Sequence, residues 1–132
     1  MPFRTFEAMW NGIFAGEITA NIELVRSLRT RPGLKVGLLS NTNTLHYEYL
    51  RRRMPILSEF SYIYVSHEMG CRKPEAACYR YVLRKMEVRP QRAVFVDDYP
   101  ENIAAAREVG MRCIHATGPA AVRAGLAELG LV

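Results

Sequence analysis

Apolar residues along this chain follow two rhythms, a helical spacing of three to four residues and short continuous runs bounded by Gly, Pro or polar residues. Phe6, Met9, Trp10 and Ile13 recur at helical spacing and predict an amphipathic helix from about Arg4 to Phe14. Beyond Gly16, Ile18, Ile22, Val25 and Leu28 predict a second helix, which Arg31-Pro32-Gly33 ends in a turn. Leu34–Leu39 reads as a buried strand. A polar loop, Asn41–Asn43, follows it, and Thr44 is placed to cap a helix reaching about Arg53, ended by Pro55. Tyr62–Ser66 is β-branched and aromatic, a short strand. From Pro74 onward, Tyr79, Val82, Leu83 and Met86 form a helical stripe closed by Val88-Arg89-Pro90. Ala93–Val96 is an apolar strand that stops at Asp97-Asp98. Pro100 opens a helix that Gly110 closes, in keeping with proline at the first turn and glycine just past the last. Met111–His115 is the fourth strand, with Cys113 turned to the core if Met111 and His115 share its face. Val122, Leu126 and Leu129 mark a final helix. Strands alternating with helices imply an α/β fold with right-handed crossovers and a mostly parallel sheet. There is no internal repeat, low-complexity tract or linker.

Composition narrows the setting. The 132 residues suffice for one domain, and 49% hydrophobic with 23% charged residues is ordinary for a globular fold. No run approaches the roughly 18 apolar residues of a membrane span. Met1-Pro2-Phe3-Arg4 lacks the apolar core of a signal peptide. An odd set of cysteines, Cys71, Cys78 and Cys113, argues against a disulfide framework and for reduced thiols in the cytoplasm. The formal charge of +5 raises the question of nucleic acid. Arg51-Arg52-Arg53, the densest basic run, would point in different directions on a helix and has no interleaved aromatics, so it reads as a solvated face. The expectation is no nucleic-acid partner and no membrane.

Three strand ends carry reactive groups, and in an open parallel sheet ligands bind at the carboxyl ends of strands. Ser40-Asn41-Thr42-Asn43 offers a hydroxyl and backbone N–H groups to a phosphoryl oxygen, although the same residues are ordinary turn formers. Lys73, in Arg72-Lys73-Pro74, precedes a helix N-terminus, where a cation is unfavourable unless an anion sits there too; a surface lysine is the plain alternative. Asp97-Asp98 places two carboxylates after an apolar strand, where they repel unless a cation compensates them. Magnesium, which takes one or two carboxylates plus waters and phosphate, suits them; a helix cap and a solvated side chain is the alternative.

Taken in order, Leu38-Leu39-Ser40-Asn41-Thr42, Arg72-Lys73-Pro74-Glu75 and Val94-Phe95-Val96-Asp97-Asp98-Tyr99-Pro100-Glu101-Asn102 resemble motifs two, three and four of the haloacid dehalogenase-like hydrolases. The resemblance covers nearly all of Leu34–Thr117 and is nearest the branch of phosphatases acting on small phosphate esters. It implies a Rossmann-like core and the following roles. Ser40 and the Asn41 backbone bind the phosphoryl group, Lys73 neutralises phosphate and nucleophile, and Asp97 and Asp98 hold Mg2+, one directly and one through water. Asn102 braces the Asp97–Asp98 loop. The implied partner is a small phosphorylated metabolite. The paired acids disfavour the dehalogenase branch.

The departure from the family is equally specific. That family attacks with the first aspartate of an Asp-x-Asp motif on its first, central strand, and the only aspartates here are Asp97 and Asp98. The expectation is therefore a chain that begins inside the family's helical cap and lacks both nucleophile and central strand. Residues 1–30 would be residual cap helix and connecting helix, and residues 31–132 the core. Two strand edges would be left unpaired, to be closed by direct pairing or by a second chain in a homodimer, or else to leave the fold marginally stable. Covalent catalysis by this chain alone is not expected, because a cation stabilises charge without replacing the attacking atom; attack by a metal-activated water is the weaker alternative route. A non-catalytic phosphate- and Mg2+-binding or dimerisation module is the alternative. A phosphorelay receiver is disfavoured by order, since receivers run acids, hydroxyl, lysine. His67, Cys71 and Cys78 match no closed zinc spacing, and His46 and His115 read as surface and strand residues.

Overall fold

The computed structural model describes residues 5–8, 18–41, 52, 60 and 62–131. Five parallel strands form one sheet: β1 (Thr5–Ala8), β2 (Lys35–Ser40), β3 (Tyr62–Val65), β4 (Ala93–Asp97) and β5 (Arg112–His115), in the order β3-β2-β1-β4-β5. The helices are α1 (Ile18–Arg29), α2 (Ser66–Met69), α3 (Ala76–Met86), α4 (Pro100–Val109) and α5 (Pro119–Glu128), with a 3-10 turn at Pro90–Arg92. The α/β class and the mostly parallel sheet are those the sequence pattern implies.

The helical stripes are the buried faces. Leu24, Val25 and Leu28 of α1 and Tyr79, Val82, Leu83 and Met86 of α3 join one core with β2 and β4. Every residue of β4 is buried, as expected of a parallel strand covered on both faces. Edge strand β5 is buried only at Ile114, while Cys113 is half-buried and His115 exposed, so the core residue of this strand is Ile114 rather than Cys113. Gly110 closes α4 in the left-handed conformation at φ 105°, where a residue without Cβ fits best.

The amino-terminal expectation needs correction. Thr5–Ala8 is a strand, not part of a helix over Arg4–Phe14, and it lies at the centre of the sheet. Thr5 pairs with Lys35 on one side and Ala93 on the other, and Ala8 with Val96. The central place expected to stand empty is taken by Thr5–Ala8, which carries no aspartate, so the strand bearing the family's Asp-x-Asp is still missing from these 132 residues. The physical reason is the cost of two unpaired apolar edges. A segment laid between β2 and β4 satisfies backbone donors and acceptors on both sides at once. β1 pairs in the same sheet as the strands after residue 30, and Leu24, Val25 and Leu28 of α1 belong to the same core cluster. The expected helix from Thr44 to about Arg53 lies outside the described residues apart from Arg52, which is helical.

Candidate active site

The strand order turns about β1: β2 and β3 extend to one side, β4 and β5 to the other. A crevice opens at the carboxyl ends where such a sheet reverses, here the ends of β2, β1 and β4. β2 ends at Ser40 and β4 at Asp97. The side chain of Ser40, like Thr42 and Asn43, lies outside the described residues, so the backbone alone places Ser40, beside Asn41.

Lys73 and Asp97 form the centre. Lys73 Nζ lies 2.9 Å from Asp97 Oδ2, with the side chains 2% and 1% exposed. Asn102 Nδ2 donates to the same oxygen at 3.2 Å, and the Tyr99 N–H donates to Asp97 Oδ1 at 2.8 Å. Both oxygens of a buried carboxylate are thus satisfied, by one cation and two neutral donors. The anion that makes a lysine tolerable before a helix N-terminus is supplied by the chain itself. Burial pulls the Lys73 ammonium below its ordinary value, against the attraction of Asp97 that favours the charged form. Its Nζ also stands 5.8 Å from the centroid of the Phe95 ring.

Neighbouring groups hold this pair in place. The Asn41 side chain clasps the Lys73 backbone, accepting from its N–H at 2.9 Å and donating to its carbonyl at 3.0 Å. The Tyr79 hydroxyl donates to the Asn102 carbonyl at 3.1 Å and its ring meets Phe95 edge-on, with centroids 5.2 Å apart. The Ala116 N–H donates to the Asp97 carbonyl, and His115 Nε2 lies 2.9 Å from the Asp98 carbonyl. Asp98 is half-buried next to the pair, its Oδ1 shielded from solvent.

The structure therefore brings Asn41, Lys73, Asp97, Asp98 and Asn102 together at one end of the sheet. Sequence reasoning missed Tyr79, Tyr99 and His115 as members of this cluster. Tyr79 sat on a helical apolar stripe and read as core, and nothing in the spacing links its hydroxyl to Asn102. His115 was legible only as a strand residue, although it ends β5 beside the end of β4. His67 is exposed beside Glu68, and Cys78 is buried in α3, close enough to Lys73 to act on its ammonium. His46 lies outside the described residues.

A buried lysine–aspartate pair, with a second aspartate next in sequence and all three motifs at the carboxyl ends of a parallel sheet, matches a known family pattern. The family model of the haloacid dehalogenase-like hydrolases matches residues 13–110, most of the chain. The chain belongs to this hydrolase family. Among its relatives, a sesquiterpene phosphatase of Aspergillus oryzae, AstK, is 32% identical over 106 residues, covering 80% of this chain and 54% of that protein. Drimenol cyclase DrtB of Aspergillus calidoustus is 36% identical over 81 residues, covering 61% of this chain and 15% of that protein. This hydrolase-family chain thus spans about half the length of the first relative and far less of the second. In structure, a Bacteroides thetaiotaomicron enzyme of the family, solved with magnesium and inorganic phosphate, superposes with a TM-score of 0.63 at 29% identity. That match covers 72% of this chain and 51% of the enzyme. An uncharacterized protein of Corynebacterium glutamicum superposes with a TM-score of 0.80 at 22% identity over 98% of this chain and 97% of that one, a likeness of fold. No helix among the described residues is long and apolar enough to cross a membrane.

Proposed function

We propose that this chain forms the phosphate- and magnesium-holding part of a phosphatase-type hydrolase for a small phosphorylated metabolite, and that it does not turn over an ester by itself. The observation that carries the reading is the 2.9 Å Lys73–Asp97 pair, buried at the carboxyl end of β4 with Asp98 beside it. The donor set suits a hard cation. Asp97 and Asp98 would hold Mg2+ between them, one directly and the other through water, with Asp97 kept in place by its protein donors. When bound, Mg2+ draws negative charge from phosphoryl oxygens. Lys73 holds positive charge against the phosphate, Asn41 fixes the lysine's backbone, and Asn102 keeps Asp97 oriented. Ser40 adds a hydroxyl at the end of β2. Three reduced cysteines fit a protein that works in the cytoplasm.

Relatives named as phosphatases support the class, and their named esters differ: a sesquiterpene phosphate, D-ribitol-5-phosphate and phosphoglycolate. Function lies in the site and not the fold, so the ester stays a class and not a compound. Inactivity follows from composition, since the nucleophilic Asp-x-Asp pair requires aspartates other than Asp97 and Asp98 and the chain has none. The same fact favours a second reading, a module that binds phosphate and Mg2+ without chemistry. The deciding experiment pairs hydrolysis of p-nitrophenyl phosphate in Mg2+ with calorimetric Mg2+ titration, for the wild-type chain and for Asp97→Asn/Asp98→Asn. Mg2+ binding without turnover, lost in the double variant, is the expected result. Turnover lost in the variant would overturn the inactivity, and absence of Mg2+ binding would overturn the site.

A further inference from the structure

A second concave surface lies at the opposite end of the sheet from Asp97. α3 runs back from the carboxyl end, and its last turn is pinned at the amino end by Lys35, the first residue of β2, whose Nζ donates to the Met86 carbonyl. Beyond that turn the chain passes through Glu87 and Val88 to Pro90 before entering β4. These segments enclose an open groove of about 490 Å³, floored by Leu83, Val88 and Pro90 and rimmed by Arg80, Arg84 and Arg89.

Arg80 and Arg84 stand four residues apart on one face of α3, where like charges repel, and Arg89 adds a third guanidinium across the groove. All three are exposed, and among the described residues none of them makes an ion pair. Glu87 is the one carboxylate in the lining, which leaves the rim net positive. The last turn of a helix attracts cations, which accounts for Arg84 but not for Arg80 or Arg89 or for the apolar floor between them.

We propose that this groove docks an acidic peptide segment of a partner protein, with apolar side chains on Leu83, Val88 and Pro90 and carboxylates on the three arginines. The charge pattern chooses this occupant. A second copy is disfavoured because the chain carries 18 Lys and Arg against 13 Asp and Glu, so two copies repel. Single-stranded nucleic acid needs stacking platforms, and the lining holds no aromatic residue. An anionic bilayer takes inserted apolar side chains, whereas here the apolar residues form the floor of a concavity.

The test is fluorescence anisotropy with the full chain and a fluorescein-labelled octapeptide, Glu-Glu-Asp-Leu-Phe-Asp-Glu-Glu. Its controls are the Gln/Asn counterpart, the Ala-Ala counterpart, a thymidine oligonucleotide and phosphatidylglycerol vesicles. Saturable binding of the acidic-apolar peptide is expected, with both peptide controls weaker. Arg80→Gln/Arg84→Gln and, separately, Arg89→Gln should each weaken it about tenfold while circular dichroism stays unchanged. The proposal is overturned by non-saturable binding, by equal binding of either control peptide, by arginine variants that bind as wild type, or by preference for oligonucleotide or vesicles.

Discussion

Lys73 combines three roles: its backbone is clasped by Asn41, its stem lies in the core, and its ammonium answers Asp97. Removing one member of a buried pair leaves an uncompensated charge. Lys73→Met should therefore cost about 3–5 kcal/mol in urea unfolding, whereas Lys73→Met/Asp97→Leu should recover much of that loss. Cys113 gives a pH signature. Burial pushes its thiol up to about 11 from 9.0, against the pull of Arg107. The folded state then holds the proton more tightly than the unfolded chain. This contribution is full below pH 9 and is lost as pH rises through 11, so Tm should fall more steeply over that range in wild type than in Cys113→Val. The residues of the site were legible because charged and amide groups stood at strand ends. Their pairing was not, because no spacing tells that Lys73 and Asp97, 24 residues apart, share a proton-rich contact.

Among the elements, α1, β2, α3, β4, α4 and α5 followed their apolar periodicity closely, whereas the short helix Ser66–Met69 carried no such signal. Periodicity misled at Phe6, which lies in β1, while Met9, Trp10 and Ile13 lie outside the described residues. A helical rhythm there gave way to the demand of two open strand edges, and four residues are too few for a strand to display its own alternation. The sequence also hid how closely α5 approaches β5. A Cβ built on Gly125 would stand 2.9 Å from Ile114 Cγ2 and 3.0 Å from Cδ1. Gly125→Ala should thus force α5 off the sheet and cost about 1–3 kcal/mol, read from the urea midpoint; Gly118→Ala, which meets nothing within 4 Å, serves as the unhindered control.

For the molecule entire, β1 decides whether the sheet is one piece. Among the described residues, its pairing on both sides makes it the sole bridge between β2 and β4. A proline inside a central strand removes a ladder donor, so Phe6→Pro should speed hydrogen exchange at the amides of Val36–Leu38 and Val94–Val96 together, while the β2–β3 and β4–β5 pairings are each kept. Retained protection at both neighbours would mean that β1 does not hold the centre. The seating of β1 also bears on how the protein is made. Thr5 meets its β2 partner Lys35 after 30 residues of chain, whereas its β4 partner Ala93 follows 88 residues after it. At about 5–20 residues per second the wait for β4 is roughly 4–18 s, during which β1 can pair along one edge only, with β2. Until β4 arrives the second edge of β1 stays open, and a chaperone, or a strand of a neighbouring nascent chain, has its opportunity to claim the vacancy.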